Sequence, residues 1–120
     1  MKNNIDIKKI NIPNVCFSLT NSDDVREELY STQRKERGFD DSELWSLDVT
    51  ISKFITPRLE QYINTYPNGE DCDFISDCKE FLEAMKLCAS GGSIVLNTTD
   101  MEKYQQKLDL FPKIFKGLWN

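Results

Sequence analysis

At 120 residues, with 39% hydrophobic and 29% charged side chains, the chain has the composition of one ordinary globular domain rather than of a disordered segment. Its net charge of −5 argues against nucleic-acid binding, which draws on clustered Lys and Arg. With no histidine, Ser-His-Asp and Cys-His catalysis and every metal site built on imidazole are excluded.

In residues 5 to 19, Ile5 and Ile7, then Ile10 and Ile12, then Val15, Phe17 and Leu19 recur at a period of two. That pattern predicts short strands broken at Pro13, an extended N-terminal segment over residues 1–20. Residues 22–37 read as a helix, with Ser22 or Asp23 as its cap and Gly38 as its stop. Its apolar stripe is thin (Val25, Leu29, Tyr30). Its basic cluster Arg34-Lys35-Arg37, like Lys8-Lys9, reads as a solvated face that also complements the helix dipole.

The next helix has the clearest start. Asp40 and Glu43 fit a capping box, and Phe39 with Leu44 a hydrophobic staple. Apolar residues follow at Leu44, Leu47, Ile51, Phe54, Ile55, Leu59 and Tyr62, bordered by Trp45, which predicts one long amphipathic helix, kinked by Pro57 near residues 53–56. Residues 64–73 read as a loop around a Pro67-Asn68-Gly69 turn. A third helix is expected from Ser76 or Asp77, burying Phe74, Cys78, Phe81, Leu82, Met85 and Cys88 and ending at Gly91-Gly92. Residues 93–97 read as a short strand or an apolar connector. A final helix starts at Thr98 or Thr99 and either kinks or restarts at Pro112, with Trp119 docked at its end.

No run approaches the ~20 apolar residues of a membrane span, and the first residues contain no apolar stretch of the signal-peptide kind. The expected setting is the cytoplasm, with Cys16, Cys72, Cys78 and Cys88 reduced. These thiols contain no C-x-x-C pair, so a zinc site is the less favoured reading of them. The fold class expected is mainly α, a compact bundle of three to four helices in a single domain, 1–120, with a helical core at 39–120 and short β segments near the N-terminus and at 93–97.

The polar residues of most interest are Trp45, Asp48 and Arg58. Asp48 lies one turn after Trp45, at the edge of the apolar stripe. It reads either as a carboxylate aimed at a ligand, or as a structural partner of the Trp45 indole or of Arg58. Asp40, Asp41 and Glu43 are explained by capping, and Glu70-Asp71-x-Asp73 lacks the later ligands of a calcium loop. No nucleophile, paired-carboxylate or phosphate-loop motif is present, so neither catalytic residues nor a cofactor are expected.

Leu44-Trp45-Ser46-Leu47-Asp48-Val49-Thr50-Ile51, followed by Phe54-Ile55-Thr56-Pro57-Arg58-Leu59, and Leu108-Asp109-Leu110-Phe111, followed by Phe115-Lys116-Gly117-Leu118-Trp119-Asn120, together resemble a family of small uncharacterised proteins of tailed bacteriophages and prophages. Lys79-Glu80-Phe81-Leu82-Glu83-Ala84-Met85 resembles that family's middle helix. The tryptophan common upstream of it is missing here, and Pro112 is a further departure. The resemblance covers about two-thirds of the chain and leaves out the first 37 residues. It implies a mostly helical fold and a phage-like setting, and brings no activity. The expected function is protein–protein interaction with a host or phage partner. A self-assembling accessory or structural subunit (a homo-oligomer) is the first alternative, and a carboxylate-dependent enzyme centred on Asp48 the second.

Overall fold

The structure, a computed structural model, describes residues 5–66 and 72–119. It is mainly helical: α1 (Glu27–Arg37), α2 (Leu47–Thr65), α3 (Asp73–Ala89), α4 (Thr98–Leu108) and the short α5 (Phe111–Phe115), with 3₁₀ turns at Asp41–Leu44 and Gly92–Val95. Among the described residues there is no strand, and no helix is long and apolar enough to cross a membrane. The Pro67-Asn68-Gly69 turn lies outside the described residues. The chain divides into two compact units, Met1–Thr50 and Ile51–Asn120.

In the first unit, the strands expected before residue 20 do not form. Asn11 and Asn14 both take the left-handed conformation, at φ 53° and 64°. Asparagine tolerates that region well, and two such turns around Pro13 keep reversing the chain before an extended run can build. The first helix starts at Glu27, not at Ser22 or Asp23. The Asp24 carboxylate accepts the Arg26 backbone N–H at 2.8 Å and its side chain at 2.9 and 3.0 Å. This local bonding holds residues 21–26 in turns. The stop is as expected: Gly38 lies at φ 87° and its N–H reaches the Arg34 carbonyl. The capping box of Asp40 and Glu43 is present, but it opens the Asp41–Leu44 3₁₀ turn, and α2 begins only at Leu47.

In the second unit, α2, α3 and the C-terminal helices enclose an apolar core. Leu59, Cys78, Phe81, Leu82, Ala84, Met85 and Ile114 are buried there, with Ile55, Tyr62, Phe74, Tyr104 and Phe111 packed against them. α3 supplies most of this core, and its buried face is the one its periodicity predicts. It begins at Asp73, one turn earlier than expected, and Asp77 instead pairs with Lys113 at 2.8 Å. Helix α2 continues through Pro57. Thr56 Oγ1 donates to the Ser52 carbonyl at 2.6 Å and Arg58 Nη1 to the Phe54 carbonyl at 2.7 Å, so side chains add donors around the N–H that proline lacks.

Two expectations about burial fail. Leu47, Ile51 and Phe54 of the predicted α2 stripe are exposed, as is Leu44 before them, while Ser52 is buried and donates to Met85 Sδ at 3.6 Å. Only from Ile55 onward does the stripe enter the core. Trp119 is 86% exposed rather than docked. Pro112 restarts the chain as α5, and the turn after it turns Leu118 and Gly117 inward, which leaves the next residue outside. Residues 93–97 are not a strand, because Gly91 at φ 80° ends α3 and starts a 3₁₀ turn whose Ile94 and Val95 face solvent.

Candidate functional site

The first unit buries the wrong kind of residue. Among its described residues, Asp6, Thr20, Arg34, Asp40, Ser42 and Glu43 are buried, and Tyr30 is the only buried hydrophobic side chain. Glu27, Tyr30 and Arg34 recur at helical spacing, so one face of α1 points inward and that face is largely polar.

Arg34 stands at the centre and is 1% exposed. Its Nε donates to Asp6 Oδ1 at 2.9 Å, Nη1 to Asp40 Oδ2 at 2.7 Å, and Nη2 to Glu27 Oε2 at 2.6 Å and Asp6 Oδ2 at 3.3 Å. A guanidinium offers five N–H donors in a fixed plane, and here three separate carboxylates share them. Burial works against its charge, but the three carboxylates outweigh that and hold its pKa above the ordinary arginine value. The sequence reading of Arg34 as solvated is therefore overturned, whereas Lys35 and Arg37 of the same cluster are exposed.

A second layer surrounds this centre. Asp40 Oδ1 accepts from the Ser42 backbone N–H at 2.9 Å and from its hydroxyl at 2.5 Å. The Glu43 carboxylate accepts the backbone N–H of Asp40 at 2.8 Å and of Phe17 at 3.1 Å. Burial raises the Glu43 pKa despite those two bonds. Burial also pushes Asp6 and Asp40 upward, yet hydrogen bonds reverse the sign in both. Arg34, Ser31 and the Lys8 N–H bring Asp6 down to about 2, and Ser18, Ser42 and Arg34 lower Asp40. Each carboxylate of the cluster accepts at least one hydrogen bond, the pattern of a structural network; among the described residues Glu27 Oε1 is the buried side-chain oxygen that accepts none.

The outside of this unit is correspondingly apolar. Ile5, Ile10, Ile12, Val15, Leu19, Leu29, Leu44 and Leu47 are exposed, and Val25 is 98% exposed. Trp45 is 52% exposed. Its ring meets the buried Tyr30 edge-on at 6.3 Å, and the Arg26 guanidinium lies 4.9 Å from the indole and 5.3 Å from the Tyr30 ring. That cation keeps one side of the tryptophan packed against α1 while the rest faces solvent.

Of the residues singled out by sequence, Trp45 and Asp48 belong to the first unit and Arg58 to the second. All three are exposed. Arg58 lies over the Phe54 ring at 4.0 Å, and Trp45 is held by Tyr30 and Arg26. Two surface depressions, one around Glu27, Ser31 and Lys35 and one around Leu87, Leu96 and Tyr104, include none of the three. Among the described residues no group of three or more Cys, Asp or Glu side chains is placed to hold a metal ion, and the four cysteines are free. Burial raises the Cys78 thiol to about 11. The signal that could have located the network was the inward spacing of Tyr30 and Arg34. Compared with protein-family models, with curated proteins and with solved structures, the chain finds no match.

Proposed function

We propose that the chain is a small acidic protein-binding protein that docks a partner protein on the first unit, around Trp45. One observation carries this reading: that unit spends polar groups on its interior and leaves its large apolar side chains outside. Contiguous exposed apolar surface marks sites of association in soluble proteins. A half-exposed tryptophan beside a stacked arginine has the composition of a binding hot spot. The resemblance to small phage and prophage proteins supports a phage-borne origin and a partner in the bacterial cytoplasm.

The test compares wild type with Trp45→Ser in affinity capture from bacterial lysate, with and without phage infection. The variant's circular dichroism should be unchanged, because Trp45 is held only at one side. A partner recovered by wild type and lost by the variant supports the reading; equal recovery by both overturns it. The same apolar exposure favours self-assembly as a second reading, which light scattering separates: a monomer at high concentration excludes it.

A further inference from the structure

We infer that residues 5–20 form a detachable arm, latched onto α1 and the Asp41–Leu44 turn by the buried Arg34 network and releasable without opening α3. The arm has no helix or strand of its own. Its attachment points are polar. Asp6 binds Arg34 and accepts the Ser31 hydroxyl at 2.8 Å; Lys8 Nζ stands 3.9 Å from Glu27; the Phe17 N–H binds Glu43; and the Leu19 N–H donates to Ser42 Oγ at 2.8 Å. None of the arm's large hydrophobic side chains is buried. Ile7 and Phe17 are partly covered, while Ile5, Ile10, Ile12, Val15 and Leu19 are exposed.

That combination distinguishes a latch from a core segment. A strand or helix anchored by apolar burial cannot leave without exposing its greasy face to water, and its departure opens the core behind it. Here five of the arm's seven large apolar side chains are already 38–51% exposed, so leaving uncovers comparatively little further apolar surface. Leaving exchanges protein hydrogen bonds for water hydrogen bonds, and the main resistance is the cost of separating Asp6 from a guanidinium that burial has stripped of water. The chain that follows, residues 21–26, has neither helix nor strand, and the arm would swing there. The groups facing the latch are Asp6 and Lys8 from the arm, Glu27 and Arg34 from α1, and Asp40 and Glu43 from the turn. Arg34 alone among them bridges all three segments.

The test uses the full chain at neutral pH. Trypsin cuts after Lys8 and Lys9 report on the arm, and hydrogen exchange of α3 amides reports on the apolar core. Asp6→Asn keeps the shape and part of the hydrogen bonding while removing the charge. It is expected to raise the initial rate of cleavage at Lys8 and Lys9 at least tenfold and to leave α3 protection unchanged. Arg34→Met should raise it further. Unchanged cleavage in Asp6→Asn overturns the latch. So does a loss of α3 protection in step with cleavage, because the arm would then be part of a single cooperative structure. If Arg34→Met does not fold, Asp6→Asn decides the matter alone.

Discussion

Arg34 bonds Asp6, Glu27 and Asp40, which lie 28, 7 and 6 residues from it in the chain. Its neighbour in the sequence cluster, Arg37, makes a 2.6 Å pair with Asp41 in which neither side chain is buried. The two arginines should differ sharply on replacement. Arg34→Met leaves three carboxylates without their common cation, two of them buried, and should cost about 3–5 kcal/mol. Arg37→Met should stay within about 0.5 kcal/mol. Urea denaturation followed by Trp45 fluorescence in a Trp119→Phe background measures both. The carboxylates also predict a pH profile. Glu43 has a raised folded pKa, so protonating it favours the folded state, and stability should rise as pH falls through that value toward 4.5. Asp6 has a folded pKa of about 2 against 3.8 unfolded, so its contribution, about 2 kcal/mol, is present above pH 3.8 and lost as pH falls to about 2. Denaturation midpoints of the first unit across pH 2 to 7 should pass through a maximum. Glu43→Gln should abolish the rising limb, and Asp6→Asn should flatten the fall.

At the scale of elements, the helices were legible where periodicity and caps agreed. α3 shows its expected buried face, the capping box sits at Asp40 and Glu43, and Gly38 and Gly91 end their helices in the left-handed conformation. What the pattern did not reveal was which apolar stripes find a partner. Leu47, Ile51 and Phe54 have the same spacing as Ile55, Leu59 and Tyr62, yet only the latter meet α3 and the C-terminal helices. Arg34 was misread for the converse reason: a basic residue in a last helical turn has a sufficient local explanation, and its burial depends on Asp6 far away in sequence. Trp45, expected inside the long helix, lies between the 3₁₀ turn and α2, while Asp48 and Arg58 lie on α2; no pattern told that all three would be exposed. The C-terminal turn yields a sharper case. A Cβ on Gly117 would stand 2.6 Å from the Phe74 ring, and the Tyr62 hydroxyl donates to the Gly117 carbonyl at 3.3 Å. The missing side chain therefore allows the turn to close on α2 and α3. Gly117→Ala should cost about 1–3 kcal/mol through displacement of Phe74, read as a lowered melting temperature. Phe74→Leu, which withdraws the ring, should recover part of that loss when combined with it.

For the whole molecule, an apolar interior in one unit and a charged interior in the other imply different responses to denaturant. The residues 51–120 unit hides Cys78 and Cys88 in its core, whereas Cys16 and Cys72 are only partly covered. The Cys78 thiol, raised to about 11 by burial, is almost wholly protonated at pH 8 and unreactive on that ground as well as sterically. Burial raises the Cys16 thiol as well, so brief thiol labelling at pH 8 followed by mass spectrometry should modify Cys72 first and Cys16 more slowly in native protein, and spare Cys78 and Cys88. With rising urea, the polar contacts holding the first unit give way to solvent contacts before the apolar core of α3 does, since that core carries most of the buried hydrophobic side chains. Cys16 should therefore reach its unfolded labelling rate at a lower urea concentration than Cys78 and Cys88. If all of the cysteines reach it together, the two interiors open as one, and the charged network contributes to the stability of the entire chain rather than to that of its own unit.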